Sequence, residues 1–323
     1  MKVGVLQFFS WPERRVPLEQ VYERALERIV VMDHAGYDAV WLAEHHFTTY
    51  SVCPSVHLMA LAAAHRTSRL RIGTAVSLAA LYHPLRLAEE LALLDVLIGG
   101  RLNWGAGRGF EATEFDAFGV PLDETATRFR EAVEIVLAAW TSERLTFQGR
   151  YWDFEDIEVL PKPRQAPHPP TWVAATSPEA IGWAAAAGHA ILMDPHASFA
   201  EIAAKYDRYV AELAANGHPR PVDTPMARLV AVAATDDDAE RVARAGAAWT
   251  IGAYGHGTGG TGPPGVDERI ERYVRDCVVW GSPGRVRDEL ARLGEEMRLH
   301  HLMIAPLSHE SFVRFTDEVL PHV

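Results

Sequence analysis

The chain has 323 residues, 48% apolar and 23% charged, and its 43 acids against 31 bases leave a formal charge of −12. That composition belongs to a globular protein with core enough to fold unstapled, and it lacks the cationic footprint that nucleic acid or an anionic membrane requires. Two cysteines, Cys53 and Cys277, form neither a disulfide framework nor a zinc spacing, and no apolar run or leader suits a membrane or export, so a reducing cytoplasm is expected.

Short apolar runs alternate with longer amphipathic ones, the pattern of repeated β-α units around a parallel sheet. In chain order the periodicity predicts a strand over 3–8, a helix over 18–35, a strand over 39–42 and a helix over 56–64. A strand over 70–76, a helix over 85–97, a strand over 102–105 and a helix over 126–140 follow. Residues 144–160 alternate aromatic and polar side chains around Gln148-Gly149-Arg150 and read as an inserted hairpin. The Pro-rich stretch 161–170 returns the chain to a strand over 171–174. Then come a helix over 178–187, a strand over 190–193, a helix over 199–215, a strand over 226–233, a helix over 285–293 and a strand over 300–304. Eight such strands fit a closed (β/α)8 TIM barrel, α/β in class, in a single domain spanning 1–323. Residues 252–265, GAYGHGTGGTGPPG, hold seven glycines and two prolines and are expected to form a mobile loop over the catalytic end.

Three motifs carry chemistry. Glu44-His45-His46 follows the 39–42 strand and so sits on the barrel rim where active sites of this architecture collect. Adjacent residues on extended backbone point to opposite sides, which disfavours a shared metal ion and gives one ring to the pocket and the other to packing. Gly105-Ala106-Gly107-Arg108-Gly109 lets a ligand approach the backbone and offers a guanidinium fork for phosphate, without the spacing of a dinucleotide fingerprint. Ser177-Pro178 is a helix start whose free amides suit an anion. Arg108 and Ser177 together would make a phosphate clamp. Glu111, Glu114, Asp116 and the pair His300-His301 read as structural. No exposed apolar stripe or heptad is apparent.

The ordered set Trp41-Leu42-Ala43-Glu44-His45-His46-Phe47, Gly73-Thr74-Ala75-Val76, His83-Pro84, Ala88-Glu89-Glu90, Leu94-Asp95, Gly100-Arg101, Gly107-Arg108-Gly109, Glu114-Phe115, Phe118-Gly119, Pro161-Lys162-Pro163 and Ser177-Pro178 resembles the bacterial luciferase family of flavin-dependent monooxygenases. The resemblance covers most of the chain and is weakest after about residue 234. It implies a homodimeric barrel that takes reduced FMN from a separate flavin reductase and uses O2 as co-substrate, through a flavin hydroperoxide, to oxygenate a small organic molecule. His45 matches the family's active-site histidine, which would steady that intermediate and move protons. Arg108 and Ser177 match phosphate contacts, with Ala175 and Thr176 beside them. Ala75-Val76 falls where the family carries a non-proline cis peptide against the flavin ring, and Glu44 and Met193 fall at further cofactor positions. Ala126 stands where relatives often carry a phosphate-binding arginine; Arg128, two residues on, lies about 200° around the helix. A deazaflavin-dependent hydride transferase and a non-catalytic flavin binder share the barrel and stay open as alternatives.

Overall fold

Parallel strands buried on both faces dominate the chain, and the computed structural model describes residues 1–219, 223–254, 265–298 and 300–323. Two compact units emerge, one comprising residues 7–174 and the other residues 1–6 with 175–323. Strand β1 (Lys2–Gln7) opens the chain and belongs almost wholly to the second.

The 7–174 unit contains α1 (Leu18–Ala35), β2 (Ala39–Leu42), α2 (Val56–Ala64), β3 (Arg71–Thr74), β4 (Ser77–Leu78), α3 (Pro84–Leu97), β5 (Leu102–Gly107), α4 (Ala112–Ala117), α5 (Thr125–Thr141), β6 (Leu145–Gln148), β7 (Asp153–Ile157) and β8 (Thr171–Ala174). Its strands pair in parallel in the order β2-β3-β5-β8, with β4 beside the end of β5. Parallel strands need a cover on each face, so β2 and β5 are buried throughout. Gly73 is forced by packing: a Cβ there would overlap the Trp41 ring. The expected strand over 70–76 is instead divided: β3 ends at Thr74, the Ala75–Val76 peptide is cis, and pairing resumes at Ser77.

Strands β6 and β7 form the antiparallel hairpin expected over 144–160. Its turn rests on Glu131 of α5, whose carboxylate accepts the amides of Arg150, Tyr151 and Trp152, each at 3.0 Å. The return stretch is anchored by Gln165, which donates from its amide and side chain to Asp95 at 2.9 and 2.8 Å.

The other unit adds α6 (Pro178–Ala186), β9 (Ala190–Leu192), α7 (Phe199–Ala215), β10 (Pro225–Val232), α8 (Asp236–Tyr254), α9 (Val266–Cys277), β11 (Val278–Gly281), α10 (Pro283–Met297), β12 (His301–Pro306) and α11 (His309–Arg314). Its sheet runs β11-β10-β12-β1, all parallel, and Met193 after β9 bridges Met226. Strand β11 is an element that the periodicity does not reveal. Of the Gly-rich segment expected over 252–265, residues 252–254 close α8 and Gly265 caps α9; residues 255–264 lie outside the described residues.

Candidate active site

The chain leaving β2 is pinned before it reaches the histidines. Ala43 N donates to Gln7 O at 3.3 Å, and His45 N donates to Cys53 O at 3.2 Å. Phe9 N donates to Ser51 Oγ at 3.1 Å. The His45 ring is held edge-on between Tyr50 and Phe110, with centroids 5.4 and 5.7 Å away, and only 8% of the residue is exposed. Its Nδ1 is buried without a hydrogen bond among the described residues and lies 3.5 Å from Glu114 Oε1.

Glu114, read from sequence as structural, is therefore part of the candidate site. It is buried on α4, and the same Oε1 accepts His46 N at 2.8 Å, which fixes the backbone immediately after His45. Burial and the neighbouring Glu114 push the Glu111 carboxyl upward, against the opposing influence of His45. The His46 ring faces away into packing with Phe118 and gives Nε2 to Glu44 at 3.1 Å. The two rings thus have different surroundings, His45 between Tyr50 and Phe110 and His46 against Phe118 and Glu44.

Glu44 is 2% exposed and already takes three protein donors: His46 Nε2, Tyr82 Oη at 2.9 Å and Leu78 N at 3.2 Å. Its carboxylate thus holds the segment that follows Ala75–Val76. Val76 in turn occupies the space opposite Gly107, where any Cβ would collide with its side chain. A second chain of contacts meets the same segment: half-buried Glu90 Oε2 lies 3.3 Å from His57 Nδ1, and His57 Nε2 lies 3.1 Å from Ser77 Oγ. Hydrogen bonding to His57, with Arg86 adding to it, brings Glu90 down to about 2. Ser77 is fully buried, so its hydroxyl ends this network rather than meeting solvent. Cys53 is buried, and burial pushes its thiol up to about 12, away from the thiolate form.

Arg108 is exposed just beyond β5. Its Nε touches the Gly109 carbonyl at 3.2 Å, and it pairs with no carboxylate among the described residues. Arg128 is committed elsewhere, bonded to Glu124 at 2.8 Å and stacked 4.4 Å over the Tyr151 ring.

The remaining expected cofactor residues belong to the other unit. Thr176 and Ser177 are exposed at the start of α6, where Ser177 Oγ caps Ala180 N at 3.2 Å; Ala175 is buried before them. Met193 is buried after β9 and exchanges backbone hydrogen bonds with Pro225 and Ala227. No cluster of three or more His, Cys, Asp or Glu suited to a metal ion occurs among the described residues.

Residues 1–301 match the sequence profile of the family described as luciferase-like monooxygenase. The chain belongs to the luciferase-like monooxygenase family. It is 30% identical over 179 residues to the oxygenase component of the flavin-dependent trigonelline monooxygenase of Acinetobacter baylyi, covering 55% of this chain and 49% of that protein. The chain spans about half the length of the curated relatives it matches. The monooxygenase RslO1 from Streptomyces bottropensis superposes with a TM-score of 0.89 at 27% identity, covering 100% of this chain and 99% of that one. The oxygenating constituent of 3,6-diketocamphane monooxygenase from Pseudomonas putida, a type II Baeyer-Villiger enzyme solved with FMN, gives 0.82 at 19%, covering 100% and 98%. The fold is therefore α/β, of the TIM-barrel kind shared by luciferase-like proteins, as the strand count implies.

Proposed function

We propose that the protein is the oxygenase component of a two-component, flavin-dependent monooxygenase. In this reading it receives reduced FMN from a separate flavin reductase and transfers one oxygen atom of O2 to a small organic substrate. When bound, reduced FMN supplies the electrons that activate O2. The observation that carries the proposal is His45, a buried ring with an unbonded Nδ1 facing the Glu114 carboxylate. Such a pair can hold a proton on the imidazole and release it at the reacting centre. Arg108, Thr176 and Ser177 are assigned to the FMN phosphate, with Ala175 beside them. Ala75, Val76 and Met193 are assigned to the ring, and Glu44 to holding the strand break that carries Val76. Tyr50 and Phe110 keep bulk water from the imidazole.

The reading includes one luciferase-like domain, a cytoplasmic location and a homodimer, with no nucleic-acid or membrane partner. No helix among the described residues is long and apolar enough to cross a membrane. Support for the dimer comes from Leu58 of α2 and Leu93, Val96 and Leu97 of α3, all exposed. The last three recur at helical spacing, an apolar stripe that was not apparent in the sequence.

The test is stopped-flow absorbance after mixing the protein and reduced FMN with aerated buffer. Wild type is expected to delay the return of oxidised FMN, and His45→Ala to shorten that delay by about 10²-fold. Reoxidation at the protein-free rate in both would refute the proposal, and reduced deazaflavin would then be the cofactor to titrate.

A further inference from the structure

Arg228 of β10 is fully buried, and its guanidinium is half used. Nη1 donates to the carbonyls of Ala227 at 3.0 Å and Asp194 at 3.3 Å, whereas Nε and Nη2 have no hydrogen-bond acceptor among the described residues. Those two nitrogens share one edge of the plane, the edge that meets both oxygens of a carboxylate in parallel. Asp194 does not fill it. The Asp194 carboxylate is already taken by the amides of His196 and Ala197 at 3.0 and 2.8 Å and by Lys205 Nζ at 3.3 Å. A buried cation with an open fork is costly unless an anion completes it. Burial pulls Arg228 down only to about 10, with Asp194 opposing the fall, so it stays charged at neutral pH.

The surroundings define what that anion carries. The guanidinium carbon sits 4.9 Å from the Phe199 ring centroid. Phe199, half-buried at the start of α7, lines a cavity of about 890 Å³ whose wall is mostly charged, with five carboxylates and four guanidinium groups, and whose apolar part is Phe199, Val274, Val278 and Trp280. One aromatic ring thus separates an open guanidinium from the apolar part of a cavity in the same unit. A rotamer change at Phe199 would join them, a movement of the size commonly seen on binding.

We propose that Arg228 is the receptor for the carboxylate of a small organic acid whose apolar body lies against Phe199, Val274, Val278 and Trp280. Arg228 also holds the carbonyl of Asp194, next to Met193. Under the monooxygenase reading, on which this clause alone rests, the acid is the substrate or a close analogue of it.

Binding is testable without flavin or oxygen, so its failure is separate from failure of that reading. The probe is benzoate, titrated calorimetrically into the full chain, with benzamide as the neutral isostere and chloride and phosphate as inorganic anions. Saturable one-to-one binding of benzoate is expected, together with a melting temperature that climbs with its concentration. Benzamide and the inorganic anions should bind far more weakly. Arg228→Met should weaken benzoate about 100-fold; should that variant not fold, Arg228→Lys, which keeps the charge and loses the fork, should also bind less tightly than wild type. Phe199→Ala should speed association. Absence of benzoate binding in wild type overturns the proposal, as do equal binding of benzamide, equal binding of chloride or phosphate, or unchanged affinity in the folded position-228 variant.

Discussion

Glu44 and Glu114 show how two buried acids can shape a site through the donors they receive. Replacing Glu44 with Leu would strand the Tyr82 hydroxyl and the Leu78 amide in the interior, both of which now donate to it. The expected cost is about 3 kcal/mol, from roughly 1–3 kcal/mol per unsatisfied buried group, read as a fall in the urea midpoint. Glu44→Gln keeps an acceptor and should lose only about 1 kcal/mol. A Leu variant as stable as wild type would show that the carboxylate does not order the chain after Val76. His45 and Arg108 are candidates that sequence alone names, because each lies in a short distinctive motif, one polar and one glycine-rich, at the end of a strand that fixes where the motif emerges. Glu114 is not. Its contact with His46 spans 68 positions, and nothing local distinguishes it from Glu111, so only folding reveals which acid turns inward. Arg228 was hidden for a related reason: a lone cation inside an apolar run carries no spacing signal.

At the scale of elements, Asp33 near the end of α1 ties the helix to the turn before β3. Its carboxylate accepts the amides of Ser68, Arg69 and Leu70 at 2.9, 2.9 and 2.7 Å. Burial would raise its pKa, but these hydrogen bonds outweigh it and bring the group down to about 2. A carboxyl depressed in the folded state contributes stability that is present above its ordinary value near 4 and is lost as pH falls toward 2. Wild type should therefore lose stability across that window, and Asp33→Asn, less stable at neutral pH, should lose less there; parallel acid unfolding curves would contradict this. The hairpin gives a second test. A Cβ at Gly149 would collide with the Glu131 carboxylate that receives the turn amides. Gly149→Ala should cost about 1–3 kcal/mol and raise amide exchange across β6 and β7, whereas unchanged protection would mean Glu131 has room to move. Helices α1, α2 and α7 follow the sequence periodicity at both ends, since apolar spacing and flanking turn residues agree. Strand β11 escaped because α9 ends at Cys277 and the strand begins at Val278, leaving no turn signal between them. The helix α8 carries Asp236-Asp237-Asp238 in its first turn, and Thr235 accepts the Asp238 amide at 3.2 Å.

For the whole molecule, opposing forces govern the proposed pairing of two copies. Each chain carries a formal −12, so two copies repel, whereas Leu58 of α2 and Leu93, Val96 and Leu97 of α3 offer apolar surface that is exposed in one chain. Each such side chain removed from water contributes on the order of 1.5–3 kcal/mol, and the face is repeated on the second copy in a two-fold arrangement. Repulsion between net charges is screened within about 10 Å at 0.1 M salt, but apolar burial is not weakened by it. Dimerisation should thus tighten as salt rises, opposite to an interface held by ion pairs. Sedimentation equilibrium at low and moderate ionic strength would measure this directly. Leu58→Glu combined with Leu97→Glu should leave a folded monomer at both, because it adds like charges to the apolar face and leaves the buried residues of α2 and α3 in place. A dimer that persists in the double variant would place the contact elsewhere on the surface, and one that dissociates as salt rises would make charge pairing, not apolar burial, its source.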